Sequence, residues 1–255
     1  MDSCRLTNWI RHVRCCALIV LAALSIAPST SLGARRETAE NGRASSGSSS
    51  ATSQRRLQCI FDRYGIEKRH ATEAAAAMSK AFAKAGLTRA QMSDTALMHF
   101  LSFSIGETGA GKYMTEISPQ SRAKTGFGYL QITGQSNLTR TAACMNQIDP
   151  GSGKGVATNP HATIGARAKD KYKAALASVC FWRTNISMNG PHRNASNGSD
   201  QFSSEKMLRI LGGGSLRGQI FDRAKGRSVA SSPREVSRRY NIFKKVQGSA
   251  ARCGG

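Results

Sequence analysis

The chain has 255 residues, 40% of them hydrophobic, and its 37 lysines and arginines against 15 acidic residues leave a net charge of +22. Such a charge favours anionic partners, with a strong dependence on salt. The basic residues are spread throughout, with no aromatic-interleaved RNP block and no zinc-finger spacing, which argues against nucleic acid as the partner.

Residues 1–34 read as a secretory signal. Arg5, Arg11 and Arg14 form a positive start, residues 17–27 (ALIVLAALSIA) an apolar stretch, and Ser31, Leu32, Gly33 and Ala34 a small-residue end. The apolar run is 11 residues long, short of the ~20 that a spanning helix requires; an uncleaved anchor is the competing reading. The expectation is an exported protein with no membrane association after cleavage. Removing this segment takes away three arginines and one aspartate, leaving a charge of +20. Residues 35–56 are polar, with SSGSSSATS at their centre and no hydrophobic period. That composition cannot offset the entropy of ordering and reads as a disordered linker or pro-segment.

Residues 57–255 suit one domain with a sizeable core. Of seven cysteines, Cys4, Cys15 and Cys16 leave with the signal, while Cys59, Cys144, Cys180 and Cys253 remain. Four cysteines in an exported chain imply two disulfides and allow three connectivities, one of which joins Cys59 and Cys253 at the ends of the domain. Their spacings of 85, 36 and 73 contain no CxxC, so no metal site is expected.

Helical signals dominate. Residues 70–86 (HATEAAAAMSKAFAKAG) are Ala-rich and stop at a glycine. Thr88 with Gln91 makes a capping box for the next helix, and Ser232, Pro233 and Glu235 make another. Residues 162–183 carry the longest helical stretch, residues 185–204 read as loop, and residues 127–133 form the only strand-like run. Residues 185–204 also carry the sequons Asn185-Ile186-Ser187, Asn194-Ala195-Ser196 and Asn197-Gly198-Ser199. Asn137-Leu138-Thr139 is a fourth, and a glycan there would conflict with a binding role for Asn137.

The stretch that organises the chain is 96–137. Ala96, Leu97, Phe100, Leu101 and Ser104 repeat at helical spacing and place Glu107 at the helix's C-terminal end, before a glycine-rich turn. Burial and the negative end of the helix dipole both disfavour an ionised carboxylate there. A carboxylic acid kept protonated is what a glycosidase needs as its general acid. A solvated glutamate at an ordinary helix end is the competing reading.

Residues 126–137 (GFGYLQITGQSN) resemble the GRGxIQLTGxxNY signature of family 19 chitinases, members of the lysozyme-like superfamily. Glu107, Thr108 and Gly109 match the E-T-G of the segment whose glutamate is that family's general acid. Asn159 and Pro160 with Phe181 and Trp182 are similar to its NP…A…FW helix, residues 210–213 to its INGG, and residues 239–245 to its closing helix. The blocks occur in the family's order over roughly residues 57–253. The departures are Gly106 for His, Ser136 and Leu138 for Tyr, and Leu211 for Asn. The 24 positions from Glu107 to Gln131 leave a shortened loop, a spacing also similar to lytic transglycosylases and goose-type lysozymes.

The resemblance implies a mainly α (α+β), lysozyme-like fold with a minimal β element beside the cleft. It also implies metal-independent hydrolysis of β-1,4 bonds in N-acetylglucosamine polymers. Glu107 is the candidate acid. Glu116, the only other carboxylate before the signature, is the base by elimination, with Asp149 and Asp170 as weaker alternatives. By resemblance Thr133 helps hold the catalytic water, Gln131 and Asn137 line the sugar cleft, and Arg239 lies close to it. Tyr113 is a candidate for stacking on sugar rings, whereas Trp182 and His99 read as core. The expected protein is a secreted monomer without cofactor, acting on chitin or on peptidoglycan. A catalytically inactive carbohydrate-binding protein and a cationic antimicrobial protein acting by charge are the readings from other classes.

Overall fold

The computed structural model describes residues 52–88, 90–115, 125–211 and 233–253. The expected signal segment, most of the expected linker and Ser232 lie outside them. Helix α1 (Gln54–Tyr64) starts inside the segment read as linker, because Ser53 caps it by accepting the Arg56 N–H. Helix α2 (Lys68–Ala85) follows, then α3 (Asp94–Thr108). All three end on a glycine in the left-handed conformation, Gly65, Gly86 and Gly109, which returns its N–H to the last turn. The capping box expected at Thr88 is half made. Gln91 accepts from the Thr88 backbone and hydroxyl at 3.1 and 3.2 Å, but the true cap of α3 is Ser93, which accepts from Ala96 N–H at 3.1 Å.

The second half comprises α4 (Gln135–Ile148), α5 (Pro160–Thr163), α6 (Lys171–Trp182), one π turn (Arg183–Ser187), α7 (Gly190–Ser196), α8 (Gln201–Leu211) and α9 (Pro233–Ala251). The long helix expected over 162–183 is broken into α5 and α6. A Cβ on Gly165 would lie 2.7 Å from Thr115 Oγ1, and the next amide, Ala166 N–H, donates to that oxygen at 2.8 Å instead of to a helical carbonyl. The longest described helices are therefore α9, with 19 residues, and α2, with 18. The loop expected over 185–204 instead holds α7 and the start of α8, with Asn189 and Pro191 forming the α7 start.

Helix α3 is the centre of the core. Every residue from Ala96 to Ile105 is buried, including His99, Ser102 and Ser104, so the helix is enclosed on every side. Phe100 meets Phe82 of α2 edge-on at 5.1 Å and Trp182 of α6 at 5.6 Å. Helix α2 packs on α1 and α6, and α9 packs on α1, α3 and α8. Trp182 is fully buried, as its place in a core helix requires.

Residues 127–133 do not form the expected strand. Phe127 and Ile132 exchange N–H···O bonds of 3.2 and 2.8 Å across a tight turn, and Thr115 pairs with Phe127 on its other side. Gln131 has a φ of 51°, which reverses the chain before a strand can extend. Among the described residues the β structure consists of these isolated bridges.

The two disulfides are Cys59–Cys253 and Cys144–Cys180, with Cα separations of 5.8 and 5.7 Å. The first ties α1 to the residues just after α9; the second ties α4 to α6. Closing a loop of 194 residues restricts the unfolded chain strongly, and Cys253→Ser is expected to cost roughly 2–5 kcal/mol in chemical denaturation.

His99 is buried, stacked on Phe243 at 4.1 Å, with Nε2 2.8 Å from the Gly198 carbonyl. Burial pushes its imidazole down from 6.5 to about 4, against the opposing pulls of that carbonyl and of Asp200. The native state thus keeps His99 neutral while the unfolded chain takes up its proton below about 6.5. Its contribution is full above that pH and drains away as pH falls toward 4, a change of roughly 3 kcal/mol. His99→Gln keeps a donor for Gly198 without titrating in this range. Urea denaturation from pH 7 to 4 should show a flatter acid limb for that variant than for the parent.

Candidate active site around Glu107 and Arg239

Glu107 emerges at the last turn of α3, where the buried stripe ends, with its side chain 30% exposed. Arg239 reaches it from α9. Its Nη2 donates to Glu107 Oε1 at 2.5 Å, and the arginine side chain is only 8% exposed. The local sequence sets Glu107 after an apolar run at a negative helix end; the tertiary structure adds a cation there. Arg239 is thus not a solvated helix residue but a buried one, its guanidinium carbon 5.4 Å from the centre of the Phe103 ring. A guanidinium at this depth requires a hydrogen-bonded anion to offset its desolvation.

Gly106 makes this arrangement fit. A Cβ built there would strike Arg239 Nη1 and lie 3.2 Å from Ile242 Cδ1. The space that a side chain at 106 would occupy is filled by the guanidinium. In the sequence Gly106 is a departure from the motif's histidine, and its place beside a helix-end glutamate is the local signal of this close approach.

The turn after α3 is organised by Thr108. Its hydroxyl donates to the Ser104 carbonyl at 2.6 Å and accepts Gly111 N–H at 3.0 Å, and its carbonyl accepts Tyr113 N–H at 2.9 Å. Gln131 Nε2 in turn donates to the carbonyls of Tyr113 and Gly128 at 3.3 and 3.1 Å. Gln131 is thereby tied through the Tyr113 backbone to Thr108, the residue after Glu107. Gln131 Oε1 is buried and meets no donor among the described residues. Thr133 and Asn137 follow at the start of α4, where Asn137 Nδ2 donates to the Thr133 carbonyl at 2.9 Å and Oδ1 accepts from Arg140 at 2.6 Å. Gln131 and Asn137 are both engaged by their own chain, whereas Tyr113 is 44% exposed, with Lys112 Nζ 5.4 Å from the centre of its ring. Glu116 lies outside the described residues, as do Gly212 and Gly213.

The weaker carboxylate candidates have structural roles. Asp149 accepts from the Tyr172 hydroxyl at 2.8 Å and lies 3.6 Å from Lys84 Nζ, while Asp170 caps α6 through Tyr172 N–H. Burial and the bond to Asp149 push the Tyr172 phenol up. Among the described residues no three His, Cys, Asp or Glu side chains gather in a metal-binding arrangement, and no helix is long and apolar enough to cross a membrane.

No protein-family model, no curated protein and no solved structure matches the chain.

In a helix, alanine at 106 is favoured over glycine by about 1 kcal/mol, while overpacking a filled site costs about 1–3 kcal/mol. Gly106→Ala is therefore expected to destabilise the parent protein by displacing Arg239 from Glu107. With Arg239→Ala already present, the same substitution should be neutral or stabilising. A double-mutant cycle by thermal and urea unfolding measures this reversal.

Proposed function

We propose that the protein is an exported glycoside hydrolase acting on β-1,4-linked N-acetylglucosamine polymers, with a lysozyme-like fold and with Glu107 as general acid. The observation that carries the reading is the placement of Glu107. It stands at the end of the central helix, with one carboxylate oxygen held by the buried Arg239 and the exposed ring of Tyr113 six positions on. Among the described residues nothing else bonds the carboxylate, which leaves Oε2 to carry and deliver a proton. The order of the motif blocks along the chain supports the family 19 chitinase-like assignment.

In this mechanism Glu107 protonates the glycosidic oxygen and a carboxylate across the cleft activates water. Glu116 takes the base role. It directly follows Thr115, which the Phe127 pairing and the Ala166 N–H hold in place. Tyr113 supplies a stacking face for a sugar ring. Thr133 assists in holding the water, and Gln131 and Asn137 shape the cleft wall. Arg239 positions the acid. No metal or other cofactor takes part, and the protein works as a monomer. Two disulfides suit an oxidising compartment and extracellular action. Chitin stands ahead of peptidoglycan because the blocks are closer to those of chitinases, whereas the charge of +20 left after removal of residues 1–34 draws toward the acidic polymer.

The ion pair also favours a second reading. A carboxylate committed to Arg239 is structurally employed, and with glycine at 106 in place of the motif's histidine the fold then serves as a carbohydrate-binding protein without turnover. Hydrolysis of soluble chitin oligomers and of peptidoglycan, with Glu107→Gln in parallel, separates the two. The hydrolase reading expects turnover on one polymer and a loss of about 10²–10⁴-fold in the variant, with unfolding curves confirming that the variant is folded. Binding without turnover by the parent protein on both polymers overturns it.

A further inference from the structure

We infer that Asn194 is the N-glycosylation site of this protein and that Asn137, Asn185 and Asn197 stay bare. The inference rests on the export reading but not on the hydrolase reading. Four Asn-x-Ser/Thr triplets are present in the chain, and each satisfies the acceptor pattern equally well. The folded structure distinguishes them, because a glycan transferred to the nascent chain must afterwards be accommodated by the native fold.

Asn185 lies in the π turn after α6 and is half-buried. Its Nδ2 donates to the Phe181 carbonyl at 2.8 Å and to Thr184 Oγ1 at 3.2 Å, so both amide hydrogens are used. A sugar on Nδ2 removes one of these bonds. Asn137 is half-buried with its carboxamide stretched between Thr133 and Arg140. Asn197 is exposed, but its Oδ1 accepts from Ser93 Oγ at 2.6 Å, the hydroxyl that caps α3. That bond fixes its carboxamide against the start of α3.

Asn194 differs from all three. It is exposed on α7, and its carboxamide makes no hydrogen bond to any described residue. A glycan on its Nδ2 therefore displaces no hydrogen bond to a described residue. A glycan at Asn194 also crowds the acceptor three positions on, which further disfavours Asn197.

The modification is a group transfer from a lipid-diphosphate-linked oligosaccharide. The Asn194 amide nitrogen forms a bond to the anomeric carbon of the first sugar and gives up one proton. The bond from that carbon to the diphosphate oxygen breaks, and the lipid diphosphate leaves with the electron pair. The product keeps the amide uncharged, so the strongly basic character of the chain is unchanged.

The test uses the full chain expressed in an N-glycosylating eukaryotic cell, once with its own N-terminus and once with a proven secretory leader placed ahead of it. The secreted protein is treated with a deglycosylating amidase, which leaves aspartate wherever a glycan was attached, and mapped by peptide mass spectrometry. The expected result is aspartate at 194 alone. Asn194→Gln and Ser196→Ala should each abolish the mass shift, while Asn137→Gln, Asn185→Gln and Asn197→Gln retain it. Conversion at 137, 185 or 197 with Asn194 intact overturns the inference, as does a secreted, disulfide-bonded protein with no conversion at all. Retention of the first form inside the cell, with glycosylation at 194 in the second, overturns the export reading while leaving the site assignment in place.

Discussion

The complete burial of α3 is the constraint on which the rest of the structure depends. Ten consecutive buried residues, Ala96 to Ile105, leave no face for water, so the helix must be enclosed. The enclosure is visible in three ring contacts: Phe82 from α2 and Trp182 from α6, both against Phe100, and Phe243 from α9 against His99. Even His99 is held neutral to preserve the apolar surroundings. The first exposed side chain at the far end of the helix is Glu107, so the acid sits where the core meets solvent.

A carboxylate at such a boundary is sensitive to what lies beside it. Arg239 comes from a helix more than a hundred residues away, and its guanidinium is as deeply placed as a core side chain. Desolvating that charge is costly, and the bond to Glu107 offsets the cost only if the two groups meet closely. Gly106 supplies the space for that approach. The pair therefore joins three requirements: an acid at the helix end, an arginine on α9, and no side chain between them. The bridge from Cys59 to Cys253 fastens α9's far end to α1 and so supports the helix that carries Arg239.

Around the pair the site is built largely from backbone. Thr108 spends its hydroxyl and carbonyl on the turn, and Gln131 spends its amide on the carbonyls of Tyr113 and Gly128. These bonds explain why the segment that looked like a strand is a tight reversal. Its aromatic and β-branched residues suited a strand, but a left-handed residue at 131 and single pairings on each side of Phe127 turn the chain too soon. The fold tolerates this because Phe127, Tyr129, Leu130 and Ile132 are still buried, and burial rather than ladder length is what those side chains require.

What the sequence by itself determined was local. The glycines at 65, 86 and 109 end α1, α2 and α3, Ser53 and Ser93 cap the starts of α1 and α3, and the apolar run before Glu107 makes α3 both a helix and a core element. These follow from capping chemistry and periodicity, which act over a few residues. The tertiary structure decided what depends on contacts between distant parts. Thr115 takes the amide that interrupts the helix expected over 162–183. The cysteines settle on one pairing of three. Arg239 is drawn inward to Glu107 and explains the glycine at 106. No window of sequence contains both partners of these interactions, and their energies arise only when packing brings them within a few ångströms in a medium of low dielectric.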